Sequence, residues 1–302
     1  MAETTTLEQR GIHPVLYTFF NADGSIDTGA IEAEVDWTIE QGAHGIVTLG
    51  IASEVAKLDV AERRTVMELI ARRVAGRRPL GVTVAEPSVP GQIEFVKRAK
   101  DAGADWVILQ SPQVKVGEAA LVDFTAAVAD STDLAVAVQS NPGNMDVALS
   151  NTALLTLHRR CSNIRLLKAE GTVASCAELA QTTDMAVFGG RNGLELPSGL
   201  AAGFAGNVPA PEFAAELIEV FEAATSGAPD ALDRARVLHR AILPAIVVVN
   251  HNLLTQLAYG KRLLAERMGL PAVHDRAPAH VPSAFGMAEL AALIRGSRTG
   301  SA

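Results

Sequence analysis

Short apolar runs rich in Val, Ile and Leu alternate with longer amphipathic stretches from His13 to Ala202. The runs predict strands over His13–Phe20, His44–Leu49, Pro79–Ala85, Asp105–Gln110, Leu134–Gln139, Ile164–Lys168 and Met185–Gly189. Between them, segments polar on one face predict helices ending near Gln41 and then over Asp59–Val74, Gly91–Ala102, Glu118–Ala129, Asn151–His158, Ala174–Gln181 and Gly193–Ala202. Asn21–Ser25 reads as a turn, after which Asp27 or Thr28 caps the first helix.

Strands that are apolar on both faces and separated by helices demand a parallel sheet covered by helices. Eight such units close an α/β barrel. Seven strands are read directly, and the eighth must come from the short, glycine-rich segment Gly203–Val208. No G-x-G-x-x-G follows the first strand, which disfavours an open dinucleotide-binding sheet. From about Pro211 the pattern is helical only: Glu212–Thr225, a break at Ser226–Pro229, Asp230–Met268 with an interruption near Pro244, and Met287–Ile294. The expected fold is a (β/α)8 TIM barrel over 11–225 with a C-terminal helical extension over 226–296, and 1–10 and 297–302 read as disordered tails.

Composition narrows the function. The chain has 302 residues, 48% of them hydrophobic, which suffices for one large core. A net charge of -8 and the lack of a Lys/Arg run argue against a nucleic-acid partner. Two cysteines, Cys161 and Cys176, give no disulfide framework and suit a reducing cytosol. Met1–Arg10 lacks the pattern of a signal peptide, and the apolar runs are too short to span a membrane. A cytoplasmic protein is expected.

In a barrel of this kind reactive groups gather at the carboxyl ends of strands. Those ends are Gly50–Glu54, Ala85–Pro87, Gln139–Gly143, Lys168–Gly171 and Gly189–Gly193. Within Asn163–Gly171, strand alternation sends Lys168 and Glu170 to the same side. A lysine there either snorkels out and pairs with Glu170, or is held partly desolvated as a Schiff-base nucleophile. Burial favours the neutral amine that attack requires, and the neighbouring carboxylate opposes it. No His/Asp/Glu set has metal-ligand spacing, so no metal or other cofactor is expected and the electrophile is activated covalently or by hydrogen bonds. Lysine chemistry of this type points to an iminium with a 2-keto acid. Ser53, Ser140, Asn141 and Arg191 are candidate ligands for its carboxylate and hydroxyls, together with backbone amides after the second strand. Arg191 reads equally as half of a surface ion pair, and Glu54 as a buttress of its loop.

These motifs resemble those of the dihydrodipicolinate synthase/N-acetylneuraminate lyase family, from about Gly11 to the C-terminal helices. Gly50–Glu54 stands where that family has G-[TS]-T-G-E, Gln139–Pro142 replaces Y-N-x-P, and Leu167-Lys168-Ala169 matches the segment with the imine-forming lysine. The departures are informative. The family threonine falls on Ile51 or Ala52, its barrel tyrosine on Gln139, the tyrosine lent by a neighbouring subunit near Gln113-Val114, and its substrate-binding arginine on Asn144 or Met145. The usual proton relay is therefore absent. The pattern is similar to the 2-keto-3-deoxy-sugar-acid dehydratase branch, with Ser53-Glu54, Gln139, Lys168-x-Glu170 and the Gly189–Gly193 turn. A short eighth strand before Asn207 departs from both and bears on the pocket floor.

The resemblance implies a lyase in which Lys168 forms the imine and Glu170 shuttles protons. Ala52, Ser53, Gln139, Ser140, Asn141, Arg191 and Asn192 are its expected substrate contacts. The expected reaction is dehydration of a 2-keto-3-deoxy sugar acid. The alternatives are a pyruvate-type aldolase of the same family, a dihydrodipicolinate synthase-like enzyme, or a non-catalytic keto-acid-binding barrel. The implied partners are a small keto acid and further copies of the chain, as a dimer or tetramer.

Overall fold

The computed structural model describes residues 9–299 apart from 113, 115, 143, 144, 146 and 147. Eight parallel strands form its centre: β1 (Gly11–Ile12), β2 (Ile46–Thr48), β3 (Leu80–Val84), β4 (Trp106–Leu109), β5 (Ala135–Ser140), β6 (Ile164–Ala169), β7 (Ala186–Gly189) and β8 (Gly206–Asn207). The sheet runs β1-β8-β7-β6-β5-β4-β3-β2 and curls until its edges meet at a parallel bridge between Val15 and Val47. Helices α1 (Thr28–Glu40), α2 (Val60–Val74), α3 (Val89–Ala102), α4 (Glu118–Ala129), α5 (Asn151–Arg160), α6 (Val173–Thr182) and α7 (Leu196–Ala201) follow the first seven strands. Their starts obey local rules. Asp27, rather than Thr28, caps α1 by accepting from Ala30 N, and Asp59 and Glu62 form a reciprocal capping box on α2. Pro197 in the first turn of α7 helps to make that helix shorter than the Gly193–Ala202 expectation.

The first strand departs from expectation. His13–Phe20 is buried throughout, yet only Gly11–Ile12 pairs as a regular ladder. Pro14 has no N–H to donate, so the chain beyond it is held by single bonds, Val15 N to Pro209 O at 2.7 Å and Leu16 N to Val47 O at 2.9 Å. The eighth strand is short and glycine-rich for a steric reason, since a Cβ at Gly206 would collide with the carbonyl of Gly11 across the β1–β8 seam.

After β8 come α8 (Ala214–Thr225), α9 (Ala231–Val249), the single turn α10 (Leu253–Thr255), a π-helical turn at Gln256–Gly260, α11 (Lys261–Met268) and α12 (Ala284–Thr299). Helix α9 does not break at Pro244 as expected. Ile242, Ala245, Ile246 and Val249 are buried against the cluster containing Phe213 and Leu217, and this packing carries the helix through the exposed proline. The break falls instead at Asn250–Asn252. The last helix is also longer than Met287–Ile294, reaching Thr299, while residues 1–8 and 300–302 of the expected tails lie outside the described residues. Gln9, assigned to the N-terminal tail, is buried at the start of the barrel. Among the described residues no single helix is long and apolar enough to cross a membrane.

An aromatic plug closes the sheet interior. Trp106 and Phe188 stack at 6.2 Å, and the His13 ring sits edge-on to Phe188 at 5.1 Å. The His13 Nε2–H donates to Arg10 O, leaving a neutral ring with Nδ1 buried and unpartnered. Burial pushes its pKa from 6.5 down to about 4. The folded chain therefore binds this proton less well than the unfolded chain. The stability tied to the neutral ring is complete above pH 6.5 and is lost as pH falls from there toward about 4. The expected loss is about 3 kcal/mol at the lower end. Urea midpoints should fall more steeply for the native chain than for His13→Phe between about pH 7 and pH 5. Parallel slopes would contradict this account.

Candidate active site

Strand β6 delivers two reactive groups to one end of the sheet. Lys168 pairs in register with Gln139 on β5 and Phe188 on β7 and is 4% exposed. Two residues later Glu170 projects to the same side, and Lys168 Nζ lies 2.8 Å from Glu170 Oε1. The lysine is thus not a solvated strand-end cation, because both partners are enclosed. Room for the carboxylate comes from Gly190, where a Cβ would collide with Glu170 Cγ. Backbone Glu170 N donates to Ser140 O at 2.8 Å and fixes where the strand ends. Two amides also reach the carboxylate. Gln139 Nε2 is 3.3 Å from Oε1, and Asn141 Nδ2 donates to Oε2.

Lys168 and Glu170 border a cleft of about 270 Å³. Ala52, Asn141, Arg191 and Asn192 border it too, with Val15, Ile51, Val208 and Pro209 as its apolar wall. Gln139 stands behind Glu170 and is 2% exposed. Ser53 is otherwise engaged, since its Oγ donates to Leu16 O at 2.6 Å and its carbonyl accepts from Thr18 Oγ1 at 2.7 Å. Ser140 contributes its carbonyl to β6 and does not border the cleft. Of the strand-five end, Gly143 lies outside the described residues, as do Gln113 and Asn144.

The turn after β7 holds two residues in the left-handed region, Arg191 at φ 51° and Asn192 at φ 55°. Asparagine tolerates that conformation better than most side chains. Both ends of the Asn192 amide are engaged: Nδ2 donates to Glu212 Oε1 at 2.6 Å, and Oδ1 accepts from Ala210 N at 3.0 Å. Asn192 therefore shapes the turn beneath the cleft. Arg191 pairs with Glu195 at 3.2 Å in a partly exposed contact of the kind worth little to stability.

Beneath the turn is a buried polar seam. Tyr17 donates to Glu212 Oε2 at 2.9 Å, and its backbone N–H donates to Glu34 Oε1 at 2.8 Å. Burial raises the pKa of both carboxyls and, with Glu212 adjacent, raises that of Tyr17. Glu54 belongs to this structural layer. It pairs with Lys57 and, at 2.7 Å, with fully buried Lys261, whose pKa is lowered by desolvation against that attraction. Glu86 pairs with Arg63 at 3.3 Å and does not border the cleft.

Sequence reasoning missed the contribution of the C-terminal helices. Asn250, His251, Asn252 and Gln256, from the end of α9 and the turn beyond it, form the rim opposite Lys168. The polar run Asn250-His251-Asn252 closing an apolar helix was the available signal. Asn250 Nδ2 also donates to Arg191 O at 3.0 Å, tying that rim to the β7 turn. Among the described residues no group of three or more His, Cys, Asp or Glu side chains is arranged to hold a metal ion.

A curled eight-stranded parallel sheet with an enclosed lysine at the carboxyl end of β6 is the arrangement of an α/β-barrel protein with its site at the carboxyl ends of the strands. The model of the dihydrodipicolinate synthetase family matches residues 8–295. The chain belongs to that family and is a lyase. The 4-hydroxy-tetrahydrodipicolinate synthase of Methanospirillum hungatei is 29% identical over 225 residues, covering 72% of this chain and 77% of that one. The enzyme of the same name from Rhizobium meliloti is 32% identical over 149 residues, 49% of this chain and 51% of its own. Among solved structures, YagE of E. coli K12 in complex with pyruvate superposes with a TM-score of 0.87 at 24% identity, covering 96% of this chain and 98% of that one. At that identity the likeness speaks for the fold.

Proposed function

We propose that the chain dehydrates a 2-keto-3-deoxy sugar acid through a Schiff base on Lys168. The observation that carries this reading is the enclosed 2.8 Å pair of Lys168 Nζ and Glu170 Oε1 on the cleft floor. The pyruvate held by the YagE relative, itself a 2-keto acid, supports the substrate class.

Lys168 attacks the C2 carbonyl, and loss of that oxygen as water leaves a protonated imine. The imine draws electrons toward C2, so the Glu170 carboxylate takes a proton from C3 and an enamine forms. Glu170 then returns the proton to the C4 hydroxyl. The enamine electrons close a C3–C4 double bond as the C4–O bond breaks and water departs. Hydrolysis of the imine restores Lys168, and where C5 carries a hydroxyl the unsaturated product tautomerises to a semialdehyde. One water is lost in total and the carbon chain stays whole.

Aldol cleavage of C3–C4 needs instead a base on the C4 hydroxyl. The chain has two tyrosines, and neither borders the cleft. Tyr17 is bound to Glu212, and the Tyr259 hydroxyl accepts from Ser283 N at 3.1 Å. Product analysis tests the reading. A semialdehyde with all substrate carbons supports dehydration, whereas pyruvate plus an aldehyde makes the enzyme an aldolase.

The cleft also bears on substrate charge. Among the described residues its two cationic side chains, Lys168 and Arg191, each already face a carboxylate, Glu170 and Glu195. The rim amides of Asn250, Asn252 and Gln256 suit hydroxyl groups. We therefore expect a monocarboxylate with an uncharged, hydroxylated tail to be preferred over a diacid of equal length by about tenfold or more in kcat/KM, the equivalent of about 1.4 kcal/mol. Equal kcat/KM values for the two would remove this preference from the account.

A further inference from the structure

Two side-chain amides lead along the mouth to Glu170, and their order is polar. Gln110 follows β4, Gln139 lies on β5, and Glu170 follows β6, so the three come from neighbouring parallel strands. Gln110 Nε2 donates to Gln139 Oε1 at 2.8 Å, and Gln139 Nε2 is directed at Glu170 Oε1 at 3.3 Å. Gln110 is itself anchored through its backbone. Its N–H donates to Val84 O at 3.0 Å, and its carbonyl accepts at 2.9 Å from Gln92 Nε2, a fully buried amide of α3.

We propose that Gln110 is a positioning residue for the proton shuttle, acting by fixing which end of the Gln139 amide faces Glu170. This rests on the role given to Glu170 above. A glutamine amide turned by half a revolution keeps its shape but exchanges donor for acceptor. With Gln139 2% exposed, its neighbours rather than solvent must choose between the two orientations. Turned round, Gln139 would set its oxygen against the Glu170 carboxylate and its NH2 against the NH2 of Gln110, two repulsive contacts in place of two bonds. The donor of Gln110 opposes that arrangement, which would require the Gln110 amide to turn as well. Glu170 is then met by three donors, Gln139 Nε2, Asn141 Nδ2 and Lys168 Nζ, which hold in place the group that must take the C3 proton.

Among the described residues, the charged and titratable groups that share the cleft with Glu170 are Lys168 on its own strand, Arg191 beyond β7 and His251 on the rim. A double-mutant comparison at Gln110 and Gln139 leaves all three in place. In Gln110→Met, the acid limb of the kcat/KM profile is expected to move to higher pH by about half a unit to one unit, with kcat about tenfold lower and KM within about twofold. In a Gln139→Met background the same substitution should add no further movement, because the amide it orients is gone. Gln110→Glu keeps the size of the site, which guards against a packing artefact, and adds a charge whose direct effect on Glu170 is read from the Gln139→Met background. Its carboxylate only accepts, so it should turn Gln139 round and move the limb further than Gln110→Met does, and this excess should shrink in the Gln139→Met background.

An unmoved limb in both Gln110 variants, or shifts equal with and without the Gln139 amide, overturns the positioning role. Borohydride trapping with pyruvate separates the two levels. No adduct on the native chain overturns the Schiff-base reading and this proposal with it. An adduct together with unmoved pH profiles overturns the role of Gln110 alone.

Discussion

Lys168→Arg is expected to abolish measurable turnover while leaving the fold in place. Lys168 and Glu170 are 5% and 9% exposed in their side chains, so deleting either charge strands the other in a poorly solvated site. Such a deletion costs about 3–5 kcal/mol, which would confuse a catalytic loss with a folding loss. Arginine keeps a cation beside Glu170 but offers no nucleophilic amine, because its guanidinium stays protonated. Loss of covalent catalysis with a urea midpoint near the native one is the expected pattern. Turnover within about tenfold of native in Lys168→Arg would remove the imine from the account.

Glu170→Gln should separate the chemistry into two halves. The substitution preserves size and leaves Lys168 to form its imine, while removing the group proposed to take the C3 proton and return it at C4; because it also deletes the charge opposite Lys168, the urea midpoint is measured alongside. A positioned acid–base contributes about 10²–10⁴-fold, so kcat is expected to fall by that order. Imine formation with pyruvate should persist, because that half-reaction takes no proton from C3 and water can supply the proton with which the carbinolamine hydroxyl departs. Stopped-flow or quench trapping of the adduct, set beside steady-state turnover, reads the two steps separately. If both fall in proportion, the carboxylate is only a structural partner of Lys168.

Much of this arrangement is legible in the residues of β6 alone. Period-two alternation puts Lys168 and Glu170 on one side whatever the tertiary context, and the apolar run before them shows that the strand is covered on both faces. The β/α alternation likewise anticipates β2 to β7, while the regular ladder of β1 falls just ahead of the expected His13–Phe20. Legibility ends where a side chain has competing local partners. Ser53 and Asn192 have the right chemistry for substrate, but Leu16 O takes the serine hydroxyl and Glu212 with Ala210 N takes both ends of the asparagine amide. These partners come from distant parts of the chain, so spacing carries no trace of them.

The rim from Asn250 to Gln256 was hidden for the same reason, since it reaches the cleft only because α9 runs straight through Pro244 and breaks later. A proline in sequence reads as a break, and only the buried face of α9 shows why it is not one. Gln139 is the opposite case. Sequence shows that the family tyrosine is replaced by an amide, and the structure adds that Gln110 holds the amide's oxygen.

The central claim is that the amine at position 168 attacks a keto acid, and one measurement addresses it most directly. The native chain is incubated with pyruvate, reduced with borohydride, digested and mapped by mass. The account predicts a single reduced pyruvate on the peptide bearing Lys168. No adduct, or an adduct on any other lysine, would contradict it.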